Sequence, residues 1–237
     1  MSAEDPQIPI VELLPAFEEE TGLHVRPRPA TQAAFDERTT HGAQLRALAG
    51  RVRALGRDKR LRRIGVVGSV ADEGSTTVAL GLARALGTTP GQRVLFLELD
   101  FAHPAADRAL RIAPPANGVV RFLEGGSEIP VLRHPAPGFW VLSAGPMKSP
   151  PLHFSQVGRL PRLLSAADRV FDYVVGDLPP LLPDREGLHL QEHFDGFLFV
   201  VRARHAPIET VEQAAQLLRP GQVLGFVLNF AHDRIAR

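Results

Sequence analysis

Apolar residues in this chain collect into short unbroken runs, separated by stretches whose apolar positions recur every three or four residues. The runs cover residues 64–67, 94–97, 139–142, 171–175, 197–201 and 223–228. Runs of this length without alternation suit strands of a parallel sheet covered on both faces. Between them, Leu45, Leu48, Val52 and Leu55 fall on one helical face in residues 43–55, and Val78, Leu80, Leu82, Ala83 and Leu86 form another. Residues 105–111, 156–167 (with Pro161 inside) and 208–218 (opened by Pro207) also read as helices, and 119–123 as a helical turn ending at Gly125-Gly126. Strands alternating with helices predict a doubly wound α/β fold, a mainly parallel sheet flanked by helices. That domain spans 41–237. Residues 1–40, with Pro6, Pro9, Pro15, Pro27, Pro29 and a run of acids, read as a flexible arm; residues 8–14 (IPIVELL) suit a short docking segment, although a plain flexible tail is the simpler account.

Composition narrows this picture modestly. With 237 residues, 44% hydrophobic and 22% charged, the chain buries one full core. A net charge of +1 exerts no global pull on polyanions, so no nucleic-acid partner is expected. Cysteine is absent, which excludes disulfides, thiolate metal sites and cysteine nucleophiles. No apolar run approaches the roughly 20 residues of a membrane-spanning helix, and the acidic, proline-bearing start does not read as a signal peptide. The expectation is a cytoplasmic protein, touching the inner membrane only through a partner. The basic residues Arg57, Lys59, Arg60, Arg62 and Arg63 suit an anionic surface, although a solvated approach to the first core strand is the simpler account. The nine histidines lack the paired spacing of a zinc site.

The candidate chemistry lies at strand ends, where open α/β sheets bind ligands. A polar loop, Ser69 to Thr77, joins the strand ending at Gly68 to a helix. Strand, glycine loop and helix is the layout of a phosphate-binding loop, whose N–H groups and helix N-terminus cradle an anion. Ser69, Glu73, Gly74, Ser75, Thr76 and Thr77 are the candidate nucleotide-binding residues. Thr76 and Asp177, a hydroxyl after the loop and a carboxylate at another strand end, suit Mg²⁺. Glu98 and Asp100 are candidate catalytic acids, placed to orient a water or hydroxyl. Each has a plainer reading: Gly74 as a turn, Thr76 and Thr77 as helix caps, Asp177 as an anchor of its own loop, and Tyr173 as core.

Five stretches together resemble the cytoplasmic kinase domain of bacterial tyrosine kinases, in the MinD/ParA branch of P-loop ATPases. GSVADEGSTTVALGLA is similar to the Walker A loop and its helix, and VLFLELDFAHP to the family's second acidic motif, Asp-x-Asp-x-x-x-Pro. FWVLSAGPMKSPP is similar to a strand and its Ala-Gly-Pro segment, and FDYVVGDLPPLL to Walker B with Asp-x-Pro-Pro. FDGFLFVVRARHAPIETVEQAAQLL followed by VLGFVLN is similar to the closing strand, helix and strand. The resemblance implies ATP or ADP with Mg²⁺ as cofactor. It also implies a membrane-bound polysaccharide chain-length regulator (co-polymerase), or a related kinase, as partner, and a possible homo-oligomer.

The departures from that pattern carry as much weight. Ser75 stands at the lysine position and Asp72 at a glycine position, Glu98 lengthens an aspartate, and Thr76 and Asp177 match the Mg²⁺ positions. The family's tyrosine-rich tail has no counterpart, since Tyr173 is the chain's one tyrosine. Of the ring-forming Glu-x-x-Arg-x-x-Arg helix only Arg46 has a counterpart, so rings built on that helix are not expected. The expectation is therefore a degenerate kinase-like protein, with nucleotide binding weak or lost, acting as a regulatory component of exopolysaccharide or capsule biosynthesis and export. The alternatives are an active kinase or ATPase with an atypical loop, and a MinD/ParA-like positioning protein.

Overall fold

Strand β2 (Arg63–Gly68) is buried along nearly its whole length, and the rest of the sheet is arranged around it. Among the residues that the computed structural model describes (10–13, 29–59, 61–112, 117–146, 158–183 and 186–231) the sheet has eight strands. β2 pairs in parallel with β6 (Tyr173–Asp177) and with β7 (Gly196–Arg202). Beyond β7 lies the edge strand β8 (Val223–Asn229). On the other side β6 is followed by β3 (Val94–Glu98), β5 (Phe139–Leu142), β4 (Ile129–Arg133) and β1 (Ile10–Leu13). Every neighbouring pair is parallel except β4 with β5, so β4 and β1 run against the other six.

Each face of the sheet carries its own core. Ile64, Val66, Val94 and Phe96 point to the face covered by α1 (Pro29–Phe35), α2 (Thr40–Lys59), α3 (Ser75–Leu86) and α4 (Ala106–Leu110). Val67, Leu95 and Leu97 point to the face covered by α5 (Val119–Leu123), α6 (Leu160–Asp168) and α7 (Ile208–Gln216). The period-two alternation of strand side chains places consecutive apolar residues in opposite cores, which is why these strands read as unbroken apolar runs. At Gly65 and Gly176 the sheet leaves room for aromatic rings: a Cβ would lie 2.6 Å from Phe197 and 2.5 Å from Phe194 respectively.

The doubly wound, mainly parallel architecture agrees with the sequence expectation, and the departures have local causes. Part of the expected arm is ordered structure. Residues 10–13 add β1 to the sheet edge, and Pro29–Phe35 packs as α1 with Thr31 and Ala34 buried. Of that arm, residues 1–9 and 14–28 lie outside the described residues, as do residues 114–116 of the expected turn, Lys148, the helix start at Gln156 and residues 232–237. The pattern missed β4 because Pro130 argues against a strand. In the structure β4 pairs with β5 only at Leu132 and Arg133, so Pro130 sits before that ladder begins. Helix α6 starts at Leu160, which puts Pro161 in the first turn, where its missing N–H forgoes no helical bond. β6 begins at Tyr173 because the Phe171 amide is still tied to Ala167 O at the end of α6 (2.8 Å). Arg62 and Arg63 hold the fold together: Arg62 donates to Asp168 O and Phe171 O, and Arg63 pairs with Asp168.

Helices α1, α2 and α3 meet at Gly81, where a Cβ would lie 2.4 Å from Leu45 Cδ1 and 3.2 Å from the Ala34 Cβ. Gly81→Val is expected to destabilise the fold by about 1–3 kcal/mol by prising these helices apart. Leu82→Ala, at a fully buried position, is expected to destabilise it by about 2–5 kcal/mol. Urea titration followed by far-UV circular dichroism measures both.

Candidate functional site

The loop between β2 and α3 has a backbone suited to binding an anion. Asp72 (φ 64°) and Gly74 (φ 88°) are left-handed, whereas Glu73 between them and Ser75 after them are not. Alternation of hand over consecutive residues turns successive N–H groups toward a common centre, forming a nest. Gly74 is the N-cap of α3 and no side chain caps that helix, so its first-turn amides are available to a ligand. Thr76 and Thr77 therefore do not serve as caps. An aspartate at the glycine-like position 72 keeps the left-handed backbone, which Asp tolerates better than most residues, and its side chain is exposed.

Glu73 is buried and faces the start of the loop, where its carboxylate accepts from the Ser69 and Val70 amides and from the Ser69 hydroxyl (2.8 Å). A carboxylate so engaged closes the loop on itself, which makes Glu73 and Ser69 a brace for the loop. From the opposite side three side chains hold consecutive loop carbonyls. His205 Nε2 lies 2.9 Å from Ala71 O, Arg202 donates to Asp72 O (3.0 Å), and Asn229 Nδ2 donates to Glu73 O (2.9 Å).

Strand order brings the acids to this loop. β6 lies between β2 and β3, and Glu98 is directly opposite Asp177 in the β3–β6 ladder. Asp177 is buried, and among the described residues neither of its oxygens has a hydrogen bond of good geometry. Burial pushes its pKa well above the usual carboxylate range; Glu98 and Asp100 add to that, while the nearby Thr76 and Ser75 hydroxyls partly offset it. Ser75, Thr76 and Asp177 are thus brought together. Glu98 has different work: it accepts from the Ala105 (2.6 Å), Ala106 (2.8 Å) and Ala144 (2.9 Å) amides. Burial raises its pKa, and those three donors oppose the rise. The Glu98 carboxylate, a candidate for orienting a water, ties the segments after β3 and β5 together through these bonds. Asp100 accepts from the His103 amide and borders a cavity of about 330 Å³ with Val70, Ala71, Pro179, Pro180 and His205. Thr77 faces elsewhere, into a groove with Leu45, Phe226 and Asn229.

Sequence reasoning missed the three carbonyl braces. Asn229 marked only the end of a strand, Arg202 only the residue after one, and His205 carried no signal. Their common function depends on β7 and β8 lying beside β2, a pairing that local spacing does not encode. Among the described residues no three His, Cys, Asp or Glu side chains gather as a metal cluster. A Mg²⁺ ion at Thr76 and Asp177 would thus draw its other ligands from phosphates and water, as Mg²⁺ commonly does.

Comparison with known proteins places this geometry. No protein-family model matches the chain. Tyrosine-protein kinase CpsD of Streptococcus agalactiae is 23% identical over 166 residues, covering 68% of this chain and 69% of CpsD. The kinase domain of the Escherichia coli tyrosine kinase ETK superposes with a TM-score of 0.78, at 21% identity, covering 94% of this chain and 90% of that one. In sequence and in fold the chain is similar to the kinase domains of bacterial tyrosine kinases. Its fold is that of the P-loop NTPases of the MinD/ParA type. The kinase-like domain also matches the succinoglycan biosynthesis transport protein ExoP of Rhizobium meliloti, 28% identical over 175 residues, which is 71% of this chain and 22% of ExoP. Among the described residues, no helix is long and apolar enough to cross a membrane.

The raised pKa of Asp177 couples the stability of the empty fold to pH. The folded chain keeps a proton that the unfolded chain releases at about pH 4, so the folded state loses stability as pH rises above that point. Asp177→Asn is expected to raise the melting temperature at about pH 8 and to bring it closest to wild type at about pH 2–3, where the carboxyl is protonated in both states. Thermal melts across this range test it.

Proposed function

We propose that this domain binds a nucleoside di- or triphosphate with Mg²⁺ at the 69–77 loop, and acts as a regulatory, catalytically weak kinase-like component of a polysaccharide assembly system. The observation that carries the binding half is the left-handed alternation at Asp72 and Gly74, which aims loop amides at one point beside the unpartnered, buried Asp177. Thr76 and Asp177 would hold the metal ion, which supplies positive charge to the β- and γ-phosphates when bound. The α3 N-terminus and the loop amides would hold the phosphates.

The regulatory half rests on what stands at position 75. Phosphoryl transfer depends on preorganised positive charge around the transferring group. Ser75 offers a hydroxyl there, and its neighbourhood includes Asp177. The chain's lysines, Lys59 and Lys148, are distant from the loop in sequence. Glu98, the first acid of the second motif, is engaged with three backbone amides. Binding thus keeps most of its donors, while catalysis lacks its principal cation. The polysaccharide setting is supported by likeness to ExoP, a succinoglycan biosynthesis transport protein of which this chain covers 22%, and the membrane-bound co-polymerase partner is carried over from the motif resemblance.

Calorimetric titration of ADP and ATP, with and without Mg²⁺, tests the binding half. Micromolar affinity that loses its Mg²⁺ dependence in Asp177→Asn is expected; no binding at millimolar nucleotide would end the proposal. Turnover of ATP that disappears in Asp177→Ala would instead make the domain an active enzyme. The double substitution Asp72→Gly with Ser75→Lys is expected to tighten ATP binding by about tenfold, because it removes one acid and adds one cation near the phosphates.

A further inference from the structure

The three side chains that grip the outside of the loop come from β7, from the segment after it, and from β8, and they do more than fill space. Ala71 O, Asp72 O and Glu73 O are consecutive carbonyls, held by His205, Arg202 and Asn229 in that order. A peptide's C=O and N–H point in opposite directions, so holding these carbonyls outward turns the next amides inward. Asn229 fits this position closely: a Cβ on Gly74 would lie 2.3 Å from its Nδ2. Its Oδ1 accepts from the Phe230 amide (3.0 Å), which fixes the orientation of the side-chain amide. Arg202 is held in turn by the Phe230 ring, with its guanidinium carbon 4.5 Å from the ring centre. The guanidinium is a fixed positive charge bonded to the loop itself, in a protein with serine at position 75.

We propose that Arg202, His205 and Asn229 are positioning residues that preorganise the loop amides for a phosphorylated ligand, and that Arg202 also supplies positive potential that Ser75 cannot. This rests on the phosphate-binding reading of the loop. Preorganisation of this kind improves affinity by removing the ordering cost from the binding step. The charge acts through the field at the loop, so its contribution is screened by salt. The neighbouring Arg204 is exposed, and no hydrogen bond joins it to the loop among the described residues. It therefore serves as a charge control.

The experiment is calorimetric titration of ADP, and separately of inorganic pyrophosphate, into the full chain over a range of salt. The proteins are wild type, Arg202→Ala, Arg202→Lys, Arg204→Ala, His205→Ala and Asn229→Ala, each checked by thermal melt. Arg202→Ala is expected to weaken both ligands by about tenfold and to flatten the salt dependence, since a charge-assisted contact is lost. Arg202→Lys is expected to recover the salt dependence. His205→Ala and Asn229→Ala are each expected to weaken both ligands by a few-fold with the salt dependence unchanged, and they carry the test should Arg202→Ala fail to fold. Wild-type binding with every brace variant within about twofold of it overturns the proposal, as does an Arg204→Ala loss equal to that of Arg202→Ala. Absence of wild-type binding to either ligand at millimolar concentration overturns this proposal and the phosphate-binding reading together.

Discussion

Central strand β2 has to leave the sheet at Gly68 and become a helix at Ser75 without stranding buried amides, and the rest of the site depends on how it does so. Buried backbone donors need partners. The chain provides one from within the turn: the Glu73 carboxylate takes the Ser69 and Val70 amides, so the first part of the loop is self-contained. The amides of the second part are free to point elsewhere, and the left-handed residues Asp72 and Gly74 direct them inward. A carboxylate used in this way lies at the root of the proposed phosphate site. Its oxygens are taken up by the Ser69 and Val70 amides and the Ser69 hydroxyl, and the amides ahead of it remain available.

Charge is distributed unevenly around this turn. On the β3–β6 side, Glu98, Asp100 and Asp177 gather, and burial is the largest cause raising the pKa of Glu98 and of Asp177, with neighbouring carboxylates adding to it. On the β7–β8 side lie Arg202, His205 and Asn229, all donors to the loop. The loop therefore lies between an acidic wall and a donor wall. In a P-loop enzyme a lysine within the loop stands between such acids and the phosphates. Here the cation reaches the loop from outside, through its backbone, a position better suited to holding a ligand than to stabilising a transition state.

The two kinds of residue at strand ends illustrate how differently sequence and structure speak. Thr76 and Asp177 are legible as a pair because one follows the glycine loop, the other ends an apolar run, and each carries an oxygen of a kind that suits Mg²⁺; the structure brings them together. Glu98 looked equally free, yet its oxygens are taken by amides from residues 105, 106 and 144. Nothing in its own neighbourhood announced that, because one of its partners lies across the β3–β5 pair. The same distance effect hid β4 and β1. β1 is a four-residue strand whose only ladder among the described residues is with β4, and β4 carries a proline that counts against a strand until its short overlap with β5 is seen.

Local patterns determined what local physics controls. Unbroken apolar runs specified strands buried on both faces, three-to-four spacing specified the helices between them, and a glycine loop after the first core strand specified where an anion could bind. The identities at positions 72 and 75 likewise stated from the sequence which charges the loop gains and lacks. Tertiary structure alone decided which distant groups share that loop. The order β3-β6-β2-β7-β8 sets Asp177 on one side and Arg202, His205 and Asn229 on the other. Hydrogen bonds and fields act across a few ångströms of space, and residues separated by more than 150 positions in the chain, such as Glu73 and Asn229, come that close only when the strands pair.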